Sequence, residues 1–229
     1  MLLIAHRGFS QGADENTLTA LERSAADPRI GGIEVDIRAS PDSSDVVLRH
    51  DPFSGRRTGP APLTLDDALR FAQKQPWQVL IECKEYNRAI YQRVCELVDA
   101  HGMADRVVLF AFRHLALGFA WRKERPFRLG LIEEYPWRIE QTARALRPDV
   151  LLTGWVTPRA RVAVKSWWSL FSLERLARRI PETSLVMGVA RDELDLAWLR
   201  AQRALFAATV DFPSVKTTGG ATAPPARVT

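Results

Sequence analysis

Four short stretches of this 229-residue chain hold side chains that could act together: His6-Arg7-Gly8, Glu34-Val35-Asp36, His50-Asp51 and Glu82-Cys83-Lys84. Side chains alternate across a strand, so Glu34 and Asp36 share one face roughly 6–7 Å apart, and Glu82 and Lys84 do likewise. Three carboxylates gathered in an interior repel one another and shift toward protonation unless a cation neutralises them. An all-oxygen donor set of Glu34, Asp36 and Glu82 fits Mg²⁺ or Ca²⁺ better than zinc, with Mn²⁺ also open. An E-x-D pair alone reads more readily as the solvated face of an amphipathic strand than as a site. Its recurrence as a charged-apolar-charged pattern inside the apolar run Leu80-Ile81-Glu82-Cys83-Lys84 favours a site.

His6 and His50 each follow an apolar run, and imidazoles flanking a cation suit general acid/base work because their pKa lies near working pH. Arg7 offers a planar fork and Lys84 a point charge, both suited to an anionic substrate and equally to balancing the acidic cluster. Other chemistries lack their signatures: the chain has no G-x-G-x-x-G, no phosphate loop of the G-x-x-x-x-G-K type and no G-x-S-x-G elbow. Cys83 and Cys95 form no C-x-x-C pair and no zinc-type cluster, and read as free thiols of a reducing compartment.

The elements that must position these residues alternate strand and helix. Strands are expected at Leu2–Ala5, Ile33–Ala39, Val79–Lys84, Val107–Ala111, Arg128–Ile132, Val150–Thr153, Leu185–Val189 and Ala207–Asp211, with a return strand at Val46–His50 after a turn. Helices are expected at Thr17–Ala26, Leu65–Lys74, Ala89–His101, Leu115–Lys123, Trp137–Leu146, Leu170–Arg179 and Glu193–Arg203. Eight strands separated mostly by helices predict an α/β fold, a closed parallel (β/α)₈ TIM barrel in a single domain over 1–216, with an open doubly wound sheet as the alternative. In a barrel the active face is the C-terminal end of the strands, where the four stretches fall. Residues 217–229, rich in Gly, Pro and Thr, read as a disordered tail.

Hydrophobic residues make up 46% of the chain and charged residues 26%, average globular usage that argues against disordered and fibrous classes. The absence of an 18-residue apolar run, and an N-terminus that turns polar after five residues, predict a soluble cytoplasmic protein. The net charge of +5 is concentrated between residues 156 and 180, where Arg159, Arg161, Lys165, Arg175, Arg178 and Arg179 face Glu174 alone. That confinement argues against a nucleic-acid grip and for a local contact with anions, either phosphate groups or a peripheral membrane surface.

The ordered motifs His6-Arg7-Gly8, Asp14-Glu15-Asn16-Thr17, Glu34-Val35-Asp36, His50-Asp51 and Glu82-Cys83-Lys84 resemble those of the glycerophosphodiester phosphodiesterase family, HRG, PENT, E-x-D, HD and E-x-K, and Val210-Asp211-Phe212-Pro213 resembles its closing TDYP. The resemblance implies a TIM barrel that hydrolyses a small glycerophosphodiester to glycerol 3-phosphate and an alcohol. It implies that Glu34, Asp36 and Glu82 hold a divalent cation, Mg²⁺ or Ca²⁺ or else Mn²⁺. It further implies that His6 and His50 are the acid/base pair, with His6 as base and His50 as acid, that Arg7 and Lys84 grip the phosphate, and that Glu15, Asn16 and Asp51 support this shell.

Three departures bear on the substrate. The insertion that usually follows the HD motif is much shortened, since Leu63-Thr64-Leu65 arrives almost at once. Val186-Met187-Gly188-Val189-Ala190 stands where many members have WTVN, and Ala111-Phe112 where they have Ser-Phe. A long sixth loop carrying Trp155, Trp167, Trp168 and Phe171 among Arg159, Arg161 and Lys165 is expected instead to touch substrate or a membrane, or simply to pack on the barrel. A phospholipase D-like activity on lysophospholipids and a non-catalytic phosphate- or membrane-binding barrel stand as the alternative functions.

Overall fold

The computed structural model describes residues 1–9, 14–53, 61–85, 88–112, 127–155 and 157–211. Nine strands run β1 (Leu2–Ala5), β2 (Ile30–Ala39), β3 (Val46–Leu48), β4 (Gln78–Cys83), β5 (Val107–Phe112), β6 (Arg128–Ile132), β7 (Val150–Gly154), β8 (Ser184–Ala190) and β9 (Leu205–Val210). Eight of them pair in parallel around a ring, β1-β9-β8-β7-β6-β5-β4-β2, and the β1–β2 pairing closes it. This is the closed barrel, not the open sheet. The antiparallel β3 hangs on β2 as the expected return strand, but ends at Leu48, so His50 sits beyond the pairing. The exit is held by Arg49 N donating to Asp36 O at 2.8 Å.

Period-2 alternation divides the apolar residues of these strands between two cores. Ile4, Leu80, Val108, Phe110, Val150, Leu152, Val186 and Ala207 fill the barrel interior. Their alternates, such as Ala5, Val35, Ile81, Leu109 and Leu151, face the helices and join the larger outer core.

The helices are α1 (Leu18–Ala25), α2 (Leu65–Ala72), α3 (Arg88–Ala100), α4 (Ile139–Leu146), α5 (Pro158–Phe171), α6 (Leu173–Arg179) and α7 (Glu193–Ala201). Threonines start three of them: Thr17, Thr64 and Thr157 each accept a hydrogen bond from the backbone N–H three residues on, satisfying one of the free donors of the first turn. The expected helix Leu115–Lys123, the tail 217–229 and the Phe212-Pro213 part of the last motif lie outside the described residues.

The main correction falls after β7. The stretch expected as a long sixth loop is the 14-residue helix α5, and the expected helix Leu170–Arg179 begins only at Leu173, after a break at Ser172 with φ 58°. The signal was Thr157-Pro158: a capping hydroxyl followed by a proline whose missing N–H costs nothing in the first turn. Val164 and Trp168, four apart, bury one face of α5 against the barrel.

Candidate active site

Register decides where the carboxylates point. Glu34 pairs with Leu80, Asp36 with Glu82, and Glu82 with Phe110, so all three acids share the interior face with known barrel-filling residues. Asp36 and Glu82 lie one layer nearer the C-terminal mouth. A ligand oxygen from each of Glu34, Asp36 and Glu82 lies within 4.8 Å of the others, and all three residues are buried.

The first motif reaches this cluster through a strained turn. Arg7, Gly8 and Phe9 all have positive φ, 51°, 74° and 58°. At Gly8 a Cβ would also meet Leu21 Cδ2 of α1 at 2.9 Å, so glycine satisfies both the conformation and the close approach. The turn aims Arg7 N at Glu34 Oε2, a hydrogen bond of 3.0 Å. The Arg7 guanidinium lies between Glu15 (Nη1 to Oε2, 2.5 Å) and Asp36 (Nε to Oδ2, 3.1 Å).

Asn16, itself at φ 60°, clamps Asp36 twice: its Nδ2 donates to Oδ2 at 2.9 Å and its Oδ1 accepts from Asp36 N at 3.0 Å. Lys84 Nζ lies 2.9 Å from Asp36 Oδ1 and pairs with Glu82. His6 Nε2 is 3.9 Å from Glu34 Oε2, while His6 Nδ1 is bonded to Asp211 Oδ1 at 2.6 Å. The motif alone gives Asp211 no role; its place just past the end of the last barrel strand is the signal that it belongs to the site. His50 lines the cavity shared with His6, half-buried, with Nδ1 2.8 Å from the exposed Asp51 carboxylate.

Burial dominates the electrostatics. It pushes the Glu34 carboxyl up to about 8, the Asp36 charge adding to the rise, and it raises Glu82 despite Lys84. For Asp36 burial acts upward too, but Lys84, Arg7 and the bond from Asn16 outweigh it and hold the carboxyl below its ordinary value. Burial would lower His6, yet the Asp211 hydrogen bond and the Glu34 charge leave it raised. Arg7 and Lys84 form ion pairs with Asp36 and Glu82, and no Arg or Lys side chain among the described residues pairs with Glu34. Glu34 Oε1 is buried with no hydrogen-bond partner. An orphaned carboxylate oxygen within 4.8 Å of two more is a donor set that fits a hard divalent cation.

His6, Arg7, Glu34, His50, Glu82 and Lys84 form one end of a cavity of about 720 Å³ at the C-terminal mouth. The rest of its lining is mostly apolar and includes Phe110, Leu152, Trp155, Val186 and Met187, together with Ala160, Ala163, Val164 and Trp167 of α5, with Glu134 and Arg191 as further charged members. Of the three tryptophans expected in a substrate or membrane loop, Trp155 and Trp167 line this cavity, whereas Trp168 is packed inward with 4% exposure. Tyr135 and Trp137, which no motif singles out, line it as well. The basic stretch is partly neutralised within the fold: Arg161 and Lys165 reach Asp192 and Asp195 of the α7 start, and Arg179 reaches Glu140.

No family model matches the chain. A glycerophosphodiester phosphodiesterase of Caldanaerobacter subterraneus is 25% identical over 185 residues, covering 64% of this chain and 75% of that protein. The crystal structure of glycerophosphodiester phosphodiesterase from Agrobacterium tumefaciens superposes with a TM-score of 0.72 at 17% identity, over 93% of this chain and 97% of that one. The chain has the glycerophosphodiester phosphodiesterase fold. An Oleispira antarctica phosphodiesterase, solved in complex with sn-glycerol-3-phosphate, is similar to this glycerophosphodiester phosphodiesterase-like barrel at TM-score 0.71 and 20% identity, over 93% and 94% of the two chains. The resemblance read from the motifs is thus matched in sequence and in fold. No helix among the described residues is long and apolar enough to cross a membrane.

Proposed function

We propose that the protein is a metal-dependent phosphodiesterase that hydrolyses glycerophosphodiesters to glycerol 3-phosphate and an alcohol. The observation that carries this reading is the convergence of Glu34, Asp36 and Glu82 within 4.8 Å, beside His6 and on a cavity that His50 also lines. The similarity to phosphodiesterases in sequence and fold supports it.

Glu34, Asp36 and Glu82 would hold the cation, Mg²⁺ or Ca²⁺ or else Mn²⁺, whose contribution when bound is to neutralise the phosphodiester charge. Arg7 and Lys84 bring fixed positive charge to the same oxygens, in a pocket whose low dielectric strengthens it. Asn16 and Glu15 keep Asp36 and Arg7 in place. His6, its Nδ1 proton committed to Asp211, presents Nε2 toward the cluster as the base that takes a proton from the attacking hydroxyl. His50, more exposed and paired with Asp51, protonates the departing alkoxide; the attacking hydroxyl is the glycerol's own, so its new bond to phosphorus closes a cyclic phosphate, which water then opens to glycerol 3-phosphate. The two free thiols, Cys83 and Cys95, suit a reducing cytoplasmic compartment.

The test is release of glycerol 3-phosphate from glycerophosphocholine with added Mg²⁺, Ca²⁺ or Mn²⁺. Activity with each metal in turn, and losses of about 10²–10⁴-fold in His6→Ala and His50→Ala, are expected. Unchanged turnover in both variants removes the acid/base assignment. An inactive parent under all three metals leaves a phosphate-binding barrel as the function.

A further inference from the structure

The acid, base and phosphate-gripping candidates occupy one end of the cavity, and the rest of its lining is mostly apolar, with Glu134 and Arg191 the further charged residues on it. Leu152, Val186 and Met187 supply its wall from the strands. The close approach of β7 and β8 keeps that wall low: a Cβ on Gly154 would fall 1.5 Å from Gly188 O, and both glycines line the cavity. On the opposite side α5 presents Ala160, Ala163 and Trp167.

Trp167 is only partly buried against the outer core, so the deepest seating of α5 falls to other side chains. That role belongs to Val164 and Trp168, each 4% exposed. Trp167 turns instead to the cavity and begins a row of rings leading outward. It stacks on Phe171 with centroids 4.2 Å apart and meets Trp137 edge-on at 5.9 Å, and Trp137 in turn meets Tyr135 at 5.1 Å. Trp137 is 58% exposed, Phe171 50% and the neighbouring Leu170 78%. Large apolar side chains left in water beside a cavity mark a binding surface. Here the surface is continuous with the charged pole, so its occupant is attached to the phosphodiester itself.

We infer that the substrate carries one long hydrocarbon chain, which lies along the apolar flank between Met187 and α5 and leaves the cavity over Trp137, Trp167 and Phe171. This rests on the phosphodiesterase reading and names the substrate class for that site: single-chain amphiphiles such as lysophospholipids. Each methylene withdrawn from water into such a cleft tightens binding about four-fold.

The experiment compares glycerophosphocholine with its 1-acyl derivatives of six, eight and ten carbons, all below their micelle-forming concentrations. KM is expected to fall about four-fold per methylene until the cleft is filled. Trp167→Ala is expected to lower the ratio of kcat/KM for the ten-carbon substrate to that for glycerophosphocholine by at least tenfold, and Ala163→Trp, on an exposed helix position, to do the same by filling the cleft. Binding of decanoate and shorter fatty acids to a His6→Ala/His50→Ala double variant, read by tryptophan fluorescence, gives the chain-length dependence without turnover. Chain-dependent binding with no hydrolysis of any diester upholds the cleft and overturns the phosphodiesterase reading. Hydrolysis of glycerophosphocholine with a flat chain-length series overturns the cleft and leaves the phosphodiesterase reading intact. Turnover of acyl substrates that appears only above the micelle-forming concentration also overturns it, in favour of a surface contact.

Discussion

Asp211 holds His6 from the opposite end of the chain: their side chains meet at 2.6 Å across a separation of 205 positions. The closing of the barrel brings β9 beside β1 and makes this pair. An imidazole bonded to a carboxylate through Nδ1 has its other nitrogen, Nε2, fixed in direction and protonation.

Asp211→Asn should therefore lower kcat by about ten- to a hundredfold, within the range of a general-base contribution. Asp211 raises the His6 pKa, and the burial that opposes it stays in place in the variant. A base must be neutral to accept a proton, so the acidic limb of the kcat/KM profile should move to lower pH in Asp211→Asn. A pH–rate profile of the two proteins checks both statements; an unmoved limb would remove His6 as the base.

The metal-free protein should lose stability as pH rises through neutrality. Glu34 titrates near 8 in the fold and near 4.3 in an unfolded chain, so between those values the native state binds the extra proton and its stability falls with increasing pH. Glu34→Gln, neutral throughout, should flatten that slope. Added divalent cation should reverse it in the parent and raise the melting temperature, by about 2.7 kcal/mol of stability at a hundredfold excess over Kd. Melting curves from pH 4 to 9, with chelator and with Mg²⁺ or Ca²⁺, read all three effects.

Asp195 is fully buried at the start of α7, where Lys165 Nζ approaches to 2.5 Å and Arg161 Nη1 to 3.4 Å from α5. Burial raises its carboxyl, but the Lys165 bond, the Arg191 N–H and the Arg161 charge outweigh it and set it below the usual value. Its contribution is present above the unfolded value of about 3.9 and disappears as pH falls through the lower folded one. Asp195→Asn should cost about 2 kcal/mol at pH 7 and little at pH 2–3, measured by urea unfolding across that range.

Gly8→Ala should cost about 1–2 kcal/mol and lower activity, because φ 74° penalises a side chain and the methyl would press on Leu21. The displaced turn would carry Arg7 N away from Glu34. Thermal unfolding together with divalent-cation affinity, expected to weaken, tests the connection.

The alternation of charge within apolar runs was enough to read the barrel and to single out Glu34, Asp36, Glu82 and Lys84, since period 2 dictates which side chains share a face whatever the partners are. Helix α5 was missed although Thr157-Pro158 announced it, because its aromatics and cations obscure the apolar stripe, of which only Val164 and Trp168 are buried. Register and closure lay beyond reach of local pattern. They alone set Asp36 beside Glu82, Asp211 against His6 and Trp167 against Trp137, and they turned Lys165 from a free cation into the partner of Asp195. The sequence by itself determined the strand faces and the kinds of group available, because these depend on a few neighbouring residues. Which groups meet, how deeply they are buried and hence how they titrate was decided only by the tertiary structure, because contact and desolvation depend on segments 30 to 205 positions apart closing around the same space.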